Sequence, residues 1–245
     1  MIKFFRKIRY NLMSENRTGK YVKYALGEIL LVMIGILLAL QVNNWNENRI
    51  NAMRENLILK EINTEFKFNK EELESTIRVF SSIKDGCNYL RNLFPINPSE
   101  IDKDSVSMAL SRTLNLSSAD LSTGSISALI NTSSFEIISN SELRSLLIQW
   151  EDLISDYYER ELQAINYTKN TMVPFLAKRV PQPYRDGIKD NRVDLSFLSS
   201  IEFENLIIDR FYYVRSLLNI VEDEDTDIRK AIDRIIFLTN SDTIE

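Results

Sequence analysis

Residues Tyr24 to Val42 read YALGEILLVMIGILLALQV, and this stretch decides the fold. From Ala25 onward its 18 residues carry a single charge, on Glu28. At 1.5 Å per residue, a helix of that length spans about 27 Å, close to the roughly 30 Å hydrocarbon core of a bilayer. The stretch therefore predicts one transmembrane helix over residues 24–42.

The charge distribution predicts the orientation of this helix. Residues 1–24 carry seven Lys or Arg against one Glu, a balance of +6, whereas residues 43–245 carry 23 basic and 33 acidic residues, a balance of −10. Because Lys and Arg are enriched in cytoplasmic flanks, we expect the N-terminus in the cytoplasm and residues 43–245 outside it. A nucleic-acid-binding domain would be basic, so no nucleic-acid partner is expected.

An apolar stretch near the N-terminus can also be a cleaved signal peptide. The apolar core of a signal peptide has only 7–15 residues, and no small-residue cleavage site follows Val42, so we predict an uncleaved anchor.

Within residues 1–23, apolar side chains at Ile2, Phe5, Ile8 and Leu12 alternate with cations. This pattern predicts a basic amphipathic cytoplasmic segment on an anionic membrane surface; the alternative is an unstructured charged anchor.

Four residues fall on one face of the predicted membrane helix: Glu28, Gly35, Ala39 and Asn46. Steps of 7, 4 and 7 residues keep them within about 20° of a common line, and we call this set the membrane stripe. Gly35 and Ala39 form a small-xxx-small pair, which lets two helices approach closely and predicts self-association as a homodimer. The alternative is that Glu28 only reaches toward the headgroups and that the glycine is incidental.

Beyond Trp45 the apolar pattern is helical, and no segment has the period of a strand. A heptad-like seam runs through Phe66, Leu73, Phe80, Cys87 and Phe94. A second helix is expected to begin at about Ser99. A later helix, with a kink at Pro174, is expected to have an apolar face formed by Leu143, Leu147, Trp150, Ile154, Tyr157, Leu162 and Ile165. A further face follows at Ile207, Phe211, Val214, Leu218 and Val221, and the last helix is expected over residues 226–238.

These patterns predict an all-α protein, with one N-terminal transmembrane helix followed by an antiparallel helical-bundle extracytoplasmic domain over residues 43–245. The composition restricts its chemistry, because the chain has no His and only one Cys, which excludes an internal disulfide and a Cys/His zinc site. An acidic run at residues 222–227 imitates a calcium loop, but Ile228 and Arg234 stand where glycine and glutamate are required. We therefore expect no enzyme, no catalytic residues, no cofactor and no metal.

Four stretches carry a resemblance: residues 1–9, 14–16, 24–47 and 129–144, the last reading LINTSSFEIISNSELR. Together they resemble an uncharacterised Bacteroidota family of single-pass membrane proteins, defined as domain of unknown function 6090. The resemblance implies a bacterial inner-membrane protein with a periplasmic helical domain. It implies no known activity, so no residue roles are carried over.

The function predicted from these features is a membrane-tethered binding or scaffolding module that contacts another component of the cell envelope, with a protein as its expected partner. The alternative is a sensory input domain that passes a ligand signal through the membrane helix. Such a sensor would need a separate output protein, because only about 23 residues are expected inside the cell, too few for an output domain.

Overall fold

The computed structural model describes residues 18–132, 134–190, 192–222 and 228–240. Every regular element in these ranges is helical, which confirms the all-α class. The α-helices are α1 (Thr18–Arg91), α2 (Lys103–Leu114), α3 (Gly124–Asn131), α4 (Ser141–Tyr167), α5 (Val173–Ala177), α6 (Gln182–Arg185), α7 (Ile201–Glu222) and α8 (Ile228–Leu238). A π-helical turn covers Thr168–Met172, and 3₁₀ turns cover Phe135–Ile137 and Ser196–Ser199. The predicted amphipathic segment lies mostly outside the described residues, as does the acidic run.

The chain divides into two compact units, Met1–Glu55 and Asn56–Glu245. In the first unit, α1 carries one apolar stretch that is long enough to cross a membrane, and its side chains are not buried within the protein. The large apolar residues from Leu26 to Val42 are all exposed. A long apolar N-terminal helix is therefore present as predicted. Its exposed surface is stable only in an apolar environment or against a partner.

In the second unit, α1 supplies the predicted heptad seam. Phe66, Leu73, Phe80 and Cys87 are buried, which confirms the prediction over these residues. Phe94 is half-buried and lies beyond the end of α1. Burial raises the pKa of the Cys87 thiol to about 12, so this thiol is a small core group that stays protonated and unreactive at neutral pH.

The second helix, α2, begins at Lys103, not near Ser99 as predicted. Asp102 is its N-cap, and the carboxylate accepts hydrogen bonds from the backbone N–H groups of Asp104 and Ser105. The Ser105 hydroxyl also donates to this carboxylate, and that bond, together with the two backbone bonds, lowers the pKa of Asp102. The predicted start of α2 was wrong because acidic residues occur on both sides of Asp102, and only the hydrogen bonds identify which of them caps the helix.

The buried face of α4 departs from the prediction in its second half. Leu143, Leu147, Trp150, Ile154 and Tyr157 are buried as expected. Leu162 was predicted to continue this face, but its side chain is 58% exposed, and that prediction was wrong. Glu161, Ala164 and Thr168 continue it instead, at steps of four, three and four residues from Tyr157. A charged residue therefore occupies a core position.

The break predicted at Pro174 is the π-helical turn that joins α4 to α5. Proline has no N–H, so Pro174 cannot donate to the carbonyl of Asn170, four residues earlier. The widened turn accommodates this missing bond, and α5 continues with the proline in its first turn.

Farther along the chain, α7 and α8 pack against α4 and complete the core. Their predicted faces are confirmed: Ile207, Phe211, Val214, Leu218, Val221, Ile228, Ile232 and Ile235 are buried.

The segment between α2 and α3, residues 115–123, has no regular structure, so its backbone groups need other partners. Asn69 of α1 pairs with both polar groups of Ser122: its amide donates to the carbonyl oxygen (2.9 Å) and its Oδ1 accepts from the N–H (2.7 Å). The Tyr158 hydroxyl accepts from the N–H of Leu121 at 3.0 Å. Side chains of α1 and α4 thus hold the segment and set where α3 begins.

Glu161 holds the middle of the same segment. Its carboxylate accepts hydrogen bonds from the Ser118 hydroxyl (2.6 Å), the Ala119 N–H (2.9 Å) and the Tyr157 hydroxyl (3.0 Å). Burial, followed by the charge of Glu161, raises the pKa of Tyr157, which keeps this hydroxyl a donor. Three donors satisfy a carboxylate that would otherwise be costly to bury.

Candidate functional site

A groove opens on the surface of the second unit between α3, the 3₁₀ turn Phe135–Ile137 and the first turns of α4. Its volume is about 770 Å³. The lining side chains are half apolar and half polar: Ile126, Ile130, Phe135, Glu136, Ser141, Arg144, Ser145, Leu147, Ile148 and Glu151. We refer to it as the α3–α4 groove.

The floor of the α3–α4 groove is apolar and its edges are unusually exposed. Ile126 and Leu147 are buried and form part of the core. Ile130 and Ile148 border the groove with side chains that are 53% and 65% exposed, and Phe135 is half-buried between the helices. A cluster of apolar side chains exposed around a concave surface is typical of a site that binds a partner or ligand.

The walls of the groove are fixed by polar contacts. Glu65 of α1 accepts hydrogen bonds from the N–H of Ser125 (2.7 Å) and from its hydroxyl, so it caps α3 at its N-terminal end. Asn140 caps α4. The Arg144 guanidinium donates to the carbonyl oxygen of Ile138 and closes the turn between the two helices. The groove is therefore formed before any partner arrives.

The charges at the groove are predominantly acidic. Glu136 and Glu151 are exposed, and within the part of the chain that the structure describes neither side chain forms a hydrogen bond or an ion pair. The Arg144 guanidinium also lines the groove and keeps its positive charge, although its bond to the Ile138 carbonyl holds it in place. Nearby Glu142 is paired with Arg234 at 2.7 Å, a hydrogen bond that lowers the pKa of the carboxyl. A partner would thus meet two unneutralised carboxylates at the groove.

The sequence gives little indication of the groove, because the groove depends on how α3, the turn and α4 meet. The connection between the two helices contains the 3₁₀ turn Phe135–Ile137, and Ser133 within it lies outside the described residues. One signal was available. Residues 146–148 are three consecutive apolar residues, and successive residues of a helix point about 100° apart, so one of them must face outward.

The residues of the membrane stripe are not part of this groove. Glu28, Gly35, Ala39 and Asn46 all lie on α1 in the first unit, and the last three are exposed. Nothing lies within 4 Å of the position that a Cβ on Gly35 would occupy, so this face has room for another helix. Self-association through the stripe stays a prediction.

Over the described ranges, no three Asp, Glu or Cys side chains come together in a way that could hold a metal ion. Comparison of the chain with family models, with curated proteins and with solved structures finds no match. The resemblance to the Bacteroidota family remains a prediction. The two features of the chain that bear on its function are the exposed apolar part of α1 and the α3–α4 groove.

Proposed function

We propose that the chain is a single-pass bacterial inner-membrane protein whose helical bundle, outside the cytoplasm, binds another protein of the cell envelope. The observation that carries the binding role is the α3–α4 groove, with its apolar floor, its exposed isoleucines and its acidic charges. Anchoring is supported by the exposed apolar residues of α1 and by the change in charge from +6 before them to −10 after them.

The groove suits one face of an amphipathic helix from the partner. Such a helix presents apolar side chains at steps of three and four residues, which can contact Ile130 and Ile148 while filling the space above Phe135. Lys or Arg on its flanks would face Glu136 and Glu151. We therefore expect the partner segment to be apolar along one edge and basic beside it.

The apolar contacts and the ion pairs contribute different amounts of binding free energy, and this difference decides their roles. Fully burying an exposed Ile side chain is worth about 1.5–3 kcal/mol, whereas an exposed ion pair is worth about 0–1 kcal/mol. Ile130 and Ile148 should therefore supply most of the affinity. Glu136 and Glu151 should supply selection between basic and acidic partners.

This binding role is tested by placing a photo-crosslinking amino acid at Ile148 of the full chain in living cells. The matched control is Gln149, the exposed neighbour, which points about 100° away on α4. A discrete adduct with another membrane-associated protein is expected from position 148 and not from position 149. Reversing both charges, by Glu136→Lys and Glu151→Lys, is expected to lower the adduct yield about fivefold, since up to two ion pairs become repulsions.

Equal adduct yields from positions 148 and 149 would rule out a binding role for the groove. An adduct unaffected by the double charge reversal would rule out a basic partner. An adduct that consists of two copies of this chain would assign the groove to self-association and contradict the proposal.

A further inference from the structure

A second unpartnered surface lies on α1 within the second unit. Leu57 and Phe68 are 65% and 47% exposed, although both are large and apolar. They border a shallow groove of about 620 Å³, which we call the α1 face, lined by Leu57, Lys60, Glu61, Thr64, Glu65, Phe68 and Ser122.

The α1 face points away from the core of the unit. Phe68 follows Leu57 by 11 residues, about three turns, so the two side chains lie on the same side of α1. Ile62 and Phe66, both completely buried, follow Leu57 by five and nine residues, which turns them about 140° and 180° away from it. One side of the helix is thus used by the core, and the apolar residues on the other side are left uncovered.

Two opposite charges lie next to each other on this face. Lys60 and Glu61 are exposed, and neither side chain has a hydrogen bond or an ion pair within the described residues. In a two-fold contact between identical surfaces, Lys60 of one copy meets Glu61 of the other, and the pairing occurs twice. The α1 face is therefore complementary to itself.

We infer that the α1 face is the contact between two copies of this chain, which lie side by side and parallel. Leu57 and Phe68 supply the apolar contact, and the two Lys60–Glu61 pairs fix the register of one copy against the other. The α3–α4 groove lacks such a pair of free opposite charges, because the two carboxylates that line it, Glu136 and Glu151, are both negative. The two surfaces therefore have different partners.

The parallel direction depends on the proposed membrane anchoring, because two anchored copies share one orientation.

Thiol crosslinking of the full chain in membranes tests this contact. Leu57→Cys is expected to give a covalent dimer with a bismaleimide, and Asn56→Cys, exposed but turned about 100° away, at least tenfold less. The native Cys87 needs no replacement because it is completely buried. Equal dimer yields at the two positions, or no dimer from a Leu57→Cys thiol that maleimide labels, would overturn the inference.

A charge exchange identifies the partner. Lys60→Glu places like charges across the contact and is expected to lower the dimer yield of Leu57→Cys at least threefold. Adding Glu61→Lys restores both pairs only if the partner carries the same two substitutions, which means that it is a second copy of this chain. Failure of the double exchange to restore the yield would overturn the inference in favour of a different protein.

This crosslinking does not involve Glu136, Ile148 or Glu151. Loss of binding at the α3–α4 groove would leave the dimer from Leu57→Cys unchanged, so failure of the proposed binding role is distinguishable from failure of the dimer. If the chain proves not to be anchored in the membrane but still crosslinks at position 57 and not at position 56, the contact between two copies is upheld. Only the parallel direction of the two copies would then lose its support.

Discussion

Replacing Arg210 with Met is expected to lower the free energy of unfolding by roughly 2–6 kcal/mol. This side chain of α7 is completely buried. Its guanidinium donates to the carbonyl oxygens of Thr113 (3.1 Å), Asn115 (3.0 Å) and Ala164 (2.6 Å). Methionine fills much of the same space but donates nothing. Among the described residues the buried Thr113 carbonyl would then have no partner, at about 1–3 kcal/mol, and the more exposed Asn115 carbonyl would lose a hydrogen bond from a charged group, about 1.5–3 kcal/mol.

Among the residues that the structure describes, no carboxylate pairs with Arg210, and its position explains how this buried cation is stable. Thr113 and Asn115 lie at the C-terminal end of α2, and Ala164 lies where α4 passes into the π-helical turn. Carbonyl oxygens at helix ends carry partial negative charge, which favours a cation. Burial lowers the pKa of Arg210 to about 10, so the guanidinium is still protonated at neutral pH.

Urea unfolding of the purified full chain in detergent, followed by circular dichroism, measures this loss. Arg215→Met is the matched control, because Arg215 lies on the same helix but is exposed. The control should change the free energy of unfolding by less than about 0.5 kcal/mol. Equal losses in the two variants would show that the three carbonyl bonds of Arg210 contribute nothing.

Truncating Trp150 to Ala is expected to cost about 3–5 kcal/mol, the range for removing a large buried side chain. Trp150 is completely buried at the centre of the second unit, and its ring centroid lies 4.8 Å from that of Phe66 on α1. Its removal leaves a cavity between α1 and α4. Because a domain is typically stable by about 5–15 kcal/mol, this single change removes a large share of the total.

The same unfolding assay applies to this substitution, with Gln149→Ala as the control. Gln149 is the preceding residue on α4 and is exposed, so its truncation should leave the midpoint nearly unchanged. A Trp150→Ala loss below about 1 kcal/mol would mean that α1 and α4 do not share a core at this position.

The apolar faces could be predicted because a helix repeats every 3.6 residues, and single-residue spacings reveal which side is buried. The α1 seam and the buried face of α7 follow this repeat. The buried positions of Glu161 and Arg210 do not follow from it, because a polar residue in a core depends on partners far along the chain. Ser118 precedes Glu161 by 43 residues, and Thr113 precedes Arg210 by 97. Nothing in the local spacing indicates that these partners meet.

The binding surfaces were predictable to different degrees. The exposed apolar part of α1 follows directly from composition. The α3–α4 groove depends on the hydrogen bonds of Glu65, Asn140 and Arg144, which fix two helices and a turn in one arrangement. The α1 face required knowledge of which side of α1 the core covers, since Leu57 and Phe68 resemble ordinary core residues in the sequence.

Membrane anchoring with the helical unit outside the cytoplasm is tested most directly by alkaline phosphatase fused after Glu245. Phosphatase folds to an active enzyme only outside the cytoplasm, and membranes washed with alkaline carbonate retain only inserted proteins. The expected result is active phosphatase recovered in the carbonate-washed membranes. An inactive fusion would contradict the orientation, and active phosphatase released into the soluble fraction would contradict the anchor.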